Sequence, residues 1–279
     1  MALIMKGINE WEKEPNATRA TLIDKVSVYY KSELGSLRDE SAYRQVEREH
    51  RARVQTAQAI MFEKGDIPVQ KAYREALGLM ARIYDGLASH TGLWIAHKGW
   101  EGDSVILGLI AEHIESQDKT IVDAGCGIGL DINFLAGLFP DRSFIGYDCS
   151  PKQIELAAQR TKRLGHKNVR LFVADHRNIA RFLPPSSTDI VYVKSGSWED
   201  HLVPGLANKR TNQEILASRY QGIRNVLKGQ GTFITSGRLI DATRRGEIMD
   251  IPGFYNTGEI GIEISSQVYI IDSYNKIPS

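Results

Sequence analysis

The chain reads in two periods. Up to about Gln117 its apolar residues recur at helical spacing. Tyr43, Val46, His50, Val54, Ala57 and Met61 form one stripe, and Val69, Tyr73, Ala76, Met80, Ile83 and Leu87 form a second. Such stripes predict helices that bury one face. Between them Gly65, Asp66 and Pro68 supply a helix stop, a cap and a helix start. Asp103 stands where it would cap a further helix, S-V-I-L-G-L-I-A-E-H-I-E. His50, on an otherwise apolar stripe, reads as a packed histidine. The Tyr43–Met61 stripe would also suit a helical seam in a homodimer.

From Lys119 the pattern changes to short β-rich runs alternating with helical stretches. The runs T-I-V-D-A, S-F-I-G-Y-D, V-R-L-F-V-A, D-I-V-Y-V-K and G-T-F-I-T-S predict five strands. Helical spacing between them marks D-I-N-F-L-A-G-L-F, P-K-Q-I-E-L-A-A-Q-R-T-K-R-L and N-Q-E-I-L-A-S-R-Y-Q-G-I-R-N-V-L. Ser150, Pro151 and Gln153 give the second of these an N-cap, an N1 proline and a capping-box partner. Strands alternating with helices imply crossovers and a parallel sheet covered on both faces. The last two runs, E-I-G-I-E-I-S and Q-V-Y-I-I-D, have almost nothing between them and predict a hairpin. The expectation is an α/β fold. It has a seven-stranded, mostly parallel sheet with an antiparallel C-terminal hairpin strand, preceded by a helical extension. The division falls between 1–117 and 118–279.

The first strand runs into T-I-V-D-A-G-C-G-I-G-L-D, residues 120–131, with three glycines in five positions. In an open α/β sheet a strand, a glycine-rich turn and a helix form a ligand site at the carboxyl ends of the strands. A P-loop needs Lys after its last glycine, and none follows here. A dinucleotide fingerprint, G-x-G-x-x-G, fails in both frames, at Leu130 and at Ile132. What remains is G-x-G-x-G with the acid Asp123 two residues ahead, which suits an amine-bearing or cationic ligand better than a diphosphate.

D-A-G-C-G-I-G resembles the first motif of the class I S-adenosylmethionine-dependent methyltransferases, [D/E]-x-G-x-G-x-G. The resemblance covers roughly Lys119 to Asn275 and implies S-adenosylmethionine as cofactor. It implies that Gly125, Gly127 and Gly129 pass beneath the methionine and ribose of the cofactor, with Asp123 facing the loop and the amino group. Asp148, ending the second strand, takes the place of the family's acid on the ribose hydroxyls. Asp175, ending the third strand, takes that of the residue at the adenine amino group, and His176 falls beside it. Cys126, Cys149 and Lys194 complete the expected cofactor set, and the terminal hairpin matches the family's antiparallel strand.

After the fourth strand, Lys194-Ser195-Gly196-Ser197 stands where branches that methylate aromatic amines and amides often carry N/D-P-P-Y/F. That departure argues against adenine, cytosine or glutamine nitrogen as acceptor. Trp198, Asp200 and His201 follow, an aromatic wall and candidate bases. His201 comes first because its ordinary pKa is near working pH. In the helical region Tyr84, Trp94 and His97 mix aromatic bodies with polar tips, as acceptor pockets do.

Composition narrows the partners. The 35 Lys and Arg against 34 Asp and Glu give no overall case for nucleic acid, and the basic run around Arg160 reads as a solvated face. The only cysteines, Cys126 and Cys149, form no disulfide framework or metal cluster, which suits the cytoplasm. The opening M-A-L-I-M-K-G-I-N-E-W-E-K-E-P reads as neither a signal peptide nor a membrane span. The expected enzyme is a methyltransferase for a small-molecule acceptor. A protein or tRNA acceptor, or a protein that binds the cofactor without methylating, is the alternative.

Overall fold

The computed structural model describes residues 5–7, 17–37, 39–63, 78–79, 81–98, 100–176, 178–194, 220–238, 254–264 and 267–276, some of them, including the last two stretches, by backbone alone. Its helices are α1 (Ala17–Leu34), α2 (Glu40–Glu63), α3 (Thr91–Lys98), α4 (Trp100–Glu112), α5 (Leu130–Leu138) and α6 (Pro151–Leu164). Residues 81–87 and 220–226 are also helical. The strands are β1 (Met5–Gly7), β2 (Thr120–Ala124), β3 (Ser143–Asp148), β4 (Val169–Val173), β5 (Thr188–Val193), β6 (Leu227–Arg238), β7 (Phe254–Ile264) and β8 (Gln267–Lys276).

Five strands, in the order β6-β5-β2-β3-β4, are mutually parallel. The hairpin β7–β8 joins them through β8, which runs antiparallel to both β6 and β7. The short β1 pairs parallel with β7 at the edge. The expected seven-stranded sheet is therefore corrected: among the described residues five parallel strands carry the fold, and the order β1-β7-β8-β6-β5-β2-β3-β4 has eight. The additional strand lies in the region read as helical, where three residues are too few to show a period of two.

Alternation along the strands builds two cores. Ile121, Phe144, Ile190, Tyr192 and Ile234 face one side, where α1, α4 and α5 cover them with Val26, Tyr30, Leu34, Leu107, Ile110, Ile132 and Leu135. Val122, Ile145, Tyr147, Val191, Val193 and Phe233 face the other, against Ile179, Leu183, Tyr220, Ile223 and Val226. Burying one such aliphatic side chain is worth about 1.5–3 kcal/mol. The helices before β2 thus share a core with the sheet. Among the described residues no helix is long and apolar enough to cross a membrane.

Local signals explain the best-defined helix. Ser150 caps α6 by accepting from the Gln153 amide at 3.2 Å, Pro151 takes the first turn, and Gly165 ends it at φ +74. The reciprocal half of the expected capping box does not form. The Ser150 amide donates instead to Asp148, and the Gln153 side chain reaches Thr91 at 2.8 Å. Asp103 is likewise not a cap: α4 begins at Trp100, and the aspartate lies in its first turn and pairs elsewhere.

Candidate functional site

The carboxyl ends of β2 and β3 meet at the glycine turn. The Gly125 and Cys126 amides both donate to the Tyr147 carbonyl, at 2.8 and 3.0 Å, and the Gly129 amide closes the turn on the Cys126 carbonyl at 2.9 Å. Gly125, Gly127 and Gly129 have φ of +86, +52 and +73, a region that disfavours a β-carbon. Their surroundings differ. A Cβ on Gly129 would lie 2.8 Å from Ala157 Cβ, whereas one on Gly125 would meet nothing within 4 Å. The third glycine is there for packing, the first for open space above the turn.

Asp148 ties the turn to β3. Its two carboxylate oxygens accept from the Gly127 and Ser150 amides at 3.1 and 2.9 Å. Burial raises its pKa, with these two N–H groups opposing the rise. Tyr84, from the 81–87 helix, lies beside Asp148 and Cys149, its phenol pushed up by burial and by those neighbours. Its ring also lies 6.2 Å from that of His50, so the histidine packs on an aromatic. Asp85 on the same helix accepts from the Ser150 hydroxyl and from the Lys152 amide, seated at the N-terminus of α6. At the end of β4, the Asp175 amide donates to Asn178 Oδ1 at 3.0 Å, and His176 Nδ1 shares a 2.7 Å hydrogen bond with the Tyr147 hydroxyl.

On the opposite side of the turn stands a buried polar cluster. Lys194, just past β5, contacts Asp131 Oδ2 at 2.8 Å and Asp103 Oδ1 at 3.4 Å, and donates to the Tyr30 hydroxyl at 2.9 Å. That hydroxyl in turn donates to Asp131. Burial alone would lower the Lys194 pKa, but Asp103 and Asp131 outweigh it and hold the ammonium charged. Asp123 lies next to this cluster, 2% exposed, across the strand pair from Tyr192. Burial lifts the Asp123 pKa well above the carboxylate range, and Asp131 adds to the rise. The Cys126 thiol is pushed up by burial, then by Asp123 and Asp148, so it is held as a thiol.

Two features test whether a sulfonium nucleoside fits. Asp123 Oδ2 is buried with no hydrogen-bond partner, as is Gln153 Oε1, which would stand 3.7 Å from a Cβ on Gly127. The Lys194 ammonium contacts Asp103 and Asp131, with Asp123 close enough to feel its charge. A ligand that brings an amine over the open face of Gly125 answers the orphaned oxygen.

Residues 115–251 match the methyltransferase-domain family. The matched stretch, about half of the chain, is a methyltransferase domain. The chain is also similar to a tRNA (guanine-N(7)-)-methyltransferase of Rubrobacter xylanophilus, 33% identical over 72 residues, which are 26% of this chain and 32% of that one. Among solved structures it resembles TrmN from Thermus thermophilus at 17% identity and a TM-score of 0.49, over 62% of this chain and 47% of that one. It also resembles geranyl diphosphate C-methyltransferase from Streptomyces coelicolor at 14% identity and a TM-score of 0.48, over 63% and 81% of the two chains. The chain spans about a third of the curated relative it matches and about half of the Thermus protein.

The structure thus gathers the expected Asp123, Gly125, Cys126, Gly127, Gly129, Asp148 and Cys149 around one turn, with Asp175 and His176 at the next strand end and Lys194 in the polar cluster. Trp198, Asp200 and His201 lie outside the described residues, and Trp94 and His97 are described by backbone only, on α3. The sequence reading missed Tyr30, Asp85 and Asp131. Asp131 carried a signal, an acid inside the apolar run of α5. Tyr30 carried none.

Proposed function

We propose that this methyltransferase domain transfers the methyl group to a small-molecule acceptor enclosed beneath the N-terminal helices, residues 1–117 serving as cover and 118–279 as the cofactor-binding domain. The observation that supports this most is the contact of Tyr30 on α1 and Asp103 on α4 with Lys194, at the carboxyl end of β5. In this fold that strand end adjoins the reacting methyl. A site roofed by packed helices suits an acceptor small enough to be enclosed.

S-adenosylmethionine supplies an activated methyl on a positive sulfur, so the chain's work is orientation and charge. Asp123 is assigned to the amino group, because its free buried oxygen is an acceptor awaiting a donor. Gly125 and Gly127 leave room for the methionine part. Asp148 is assigned to the ribose: each oxygen already accepts one backbone N–H, and a carboxylate oxygen has a second lone pair for a hydroxyl. Tyr84, expected at the acceptor, lies beside that acid and is assigned to the border between donor and acceptor. Asp175 and His176 are assigned to the adenine end. Trp198, Asp200 and His201, with Trp94 and His97, are assigned to the acceptor, His201 as base.

A second reading, a tRNA acceptor, is favoured by the similarity to the Rubrobacter xylanophilus tRNA methyltransferase. The test begins with calorimetric titration of S-adenosylhomocysteine into the wild type and Asp148→Ala. Binding lost in the variant is expected, and no binding by the folded wild type would overturn the donor site. Labelled S-adenosylmethionine is then incubated with unfractionated tRNA and, separately, with a small-metabolite extract. Label in the extract alone supports the enclosed acceptor, and label in tRNA overturns it.

A further inference from the structure

The basic run around α6 was read as a solvated face, and Arg160 is its exception. Its guanidinium is only 14% exposed and is committed in two directions. Nε meets Glu33 Oε2 on α1 at 2.9 Å, and Nη1 donates to the carbonyl of Ile128, the residue between Gly127 and Gly129. Glu33 is 9% exposed and also takes Arg163 Nη2 at 2.5 Å, while Arg163 itself is 57% exposed. Burial alone would raise the Glu33 pKa, but hydrogen bonds from the two guanidiniums outweigh it and hold the carboxylate ionised.

We propose that Glu33 and Arg160 are positioning residues for the methyl donor: a buried ion pair that clamps the Ile128 carbonyl and keeps the glycine turn in its binding shape. This rests on the donor site proposed above. A turn with three glycines in five residues is intrinsically loose, because glycine loses more backbone freedom on ordering than any other residue. Ordering it during binding would weaken affinity, and ordering it beforehand removes that loss. Arginine suits the task because its rigid fork serves a carboxylate and a carbonyl at once. The anchor is firm, since Val26, Tyr30 and Leu34 of α1 are fully buried. Asn133 holds the next carbonyl, that of Gly129, at 2.7 Å, so the two successive carbonyls of the turn are both fixed from outside it.

The test uses the full chain and S-adenosylhomocysteine as probe, with Arg160→Met, Arg160→Lys, Glu33→Gln and Arg163→Met compared by calorimetry and by amide hydrogen exchange. Arg160→Met is expected to weaken binding about ten-fold, the effect of one charge-assisted hydrogen bond. Glu33→Gln, the milder change, should lose less. Arg160→Lys should recover part of the loss, because lysine can reach one partner but not both. Arg163→Met should bind as the wild type, since it shares the carboxylate and not the turn. Amide exchange should quicken at Gly127–Gly129 while α1 keeps its protection. Wild-type affinity in both Arg160→Met and Glu33→Gln would overturn the clamp and leave the donor site standing. Equal loss of protection in α1 and the turn would reduce the pair to a structural tie and overturn it too. Failure of the wild type to bind would remove the donor site, and the clamp with it.

Discussion

Alanine at Gly125 and alanine at Gly129 make the same chemical change four residues apart in one turn, and the structure separates their consequences. Each places a β-carbon on a residue with positive φ, +86 and +73, a strain of about 1–2 kcal/mol. At Gly125 that is the whole effect on folding, because the added methyl meets nothing within 4 Å. At Gly129 the methyl lies 2.8 Å from Ala157 Cβ and 3.1 Å from its Cα, which is backbone and cannot swing aside. Overpacking of that kind adds about 1–3 kcal/mol. Gly129→Ala should therefore lose about 2–5 kcal/mol, a large share of an ordinary folding free energy. Gly125→Ala should lose far less stability, yet bind S-adenosylhomocysteine at least about ten-fold more weakly, its methyl filling the volume assigned to the ligand. Urea unfolding of both variants and calorimetric titration of Gly125→Ala check the pair. Wild-type affinity in Gly125→Ala would refute the placement of the ligand. Equal stability of the two variants would refute the packing role of Gly129.

Two other substitutions probe charge and chemistry. Asp123 holds its proton more tightly in the fold than in the unfolded chain, so its contribution favours folding at low pH and is lost as pH rises through the raised pKa. Asp123→Asn should therefore melt higher than the ligand-free wild type at neutral pH, converge with it at about pH 4, and bind S-adenosylhomocysteine poorly; a lower melting temperature at neutral pH would count against a carboxyl group whose ionised form the fold disfavours. His201→Ala should leave cofactor binding intact and slow turnover by about a hundred-fold or more, as loss of a general base does, and unchanged turnover with the true acceptor would exclude His201 from that role.

What could be read from sequence is what neighbours along the chain determine. β2 and β3 coincide with T-I-V-D-A and S-F-I-G-Y-D, since strands buried on both faces appear as short apolar runs between turn residues. α6 begins at its proline and ends before its glycine for equally local reasons. Asp123 and Asp148, proposed to hold the donor, were picked out because a motif places one just before the turn and the other at the end of the next strand. The polar cluster was not. Lys194 meets Asp131, Asp103 and Tyr30 only when helices from the first half of the chain pack over the sheet, and no periodicity records a charge partner at that range. Asp103 looked like a cap because the helix start was placed four residues late. Arg160 looked solvated because its neighbours Lys162, Arg163 and Lys167 form a charged run, and only Glu33 on α1 sets it apart.

The shared core has a consequence for how this protein can diverge. Since Val26, Tyr30 and Leu34 pack on the same side of the sheet as Ile121, Ile190 and Tyr192, the helices before β2 are not an interchangeable module. Swapping residues before β2 for those of a related enzyme would strip the sheet of one apolar face and Lys194 of two partners. New acceptor specificity would have to arise by drift on the remaining surfaces of those helices, where Val28, 69% exposed, is already free of the core.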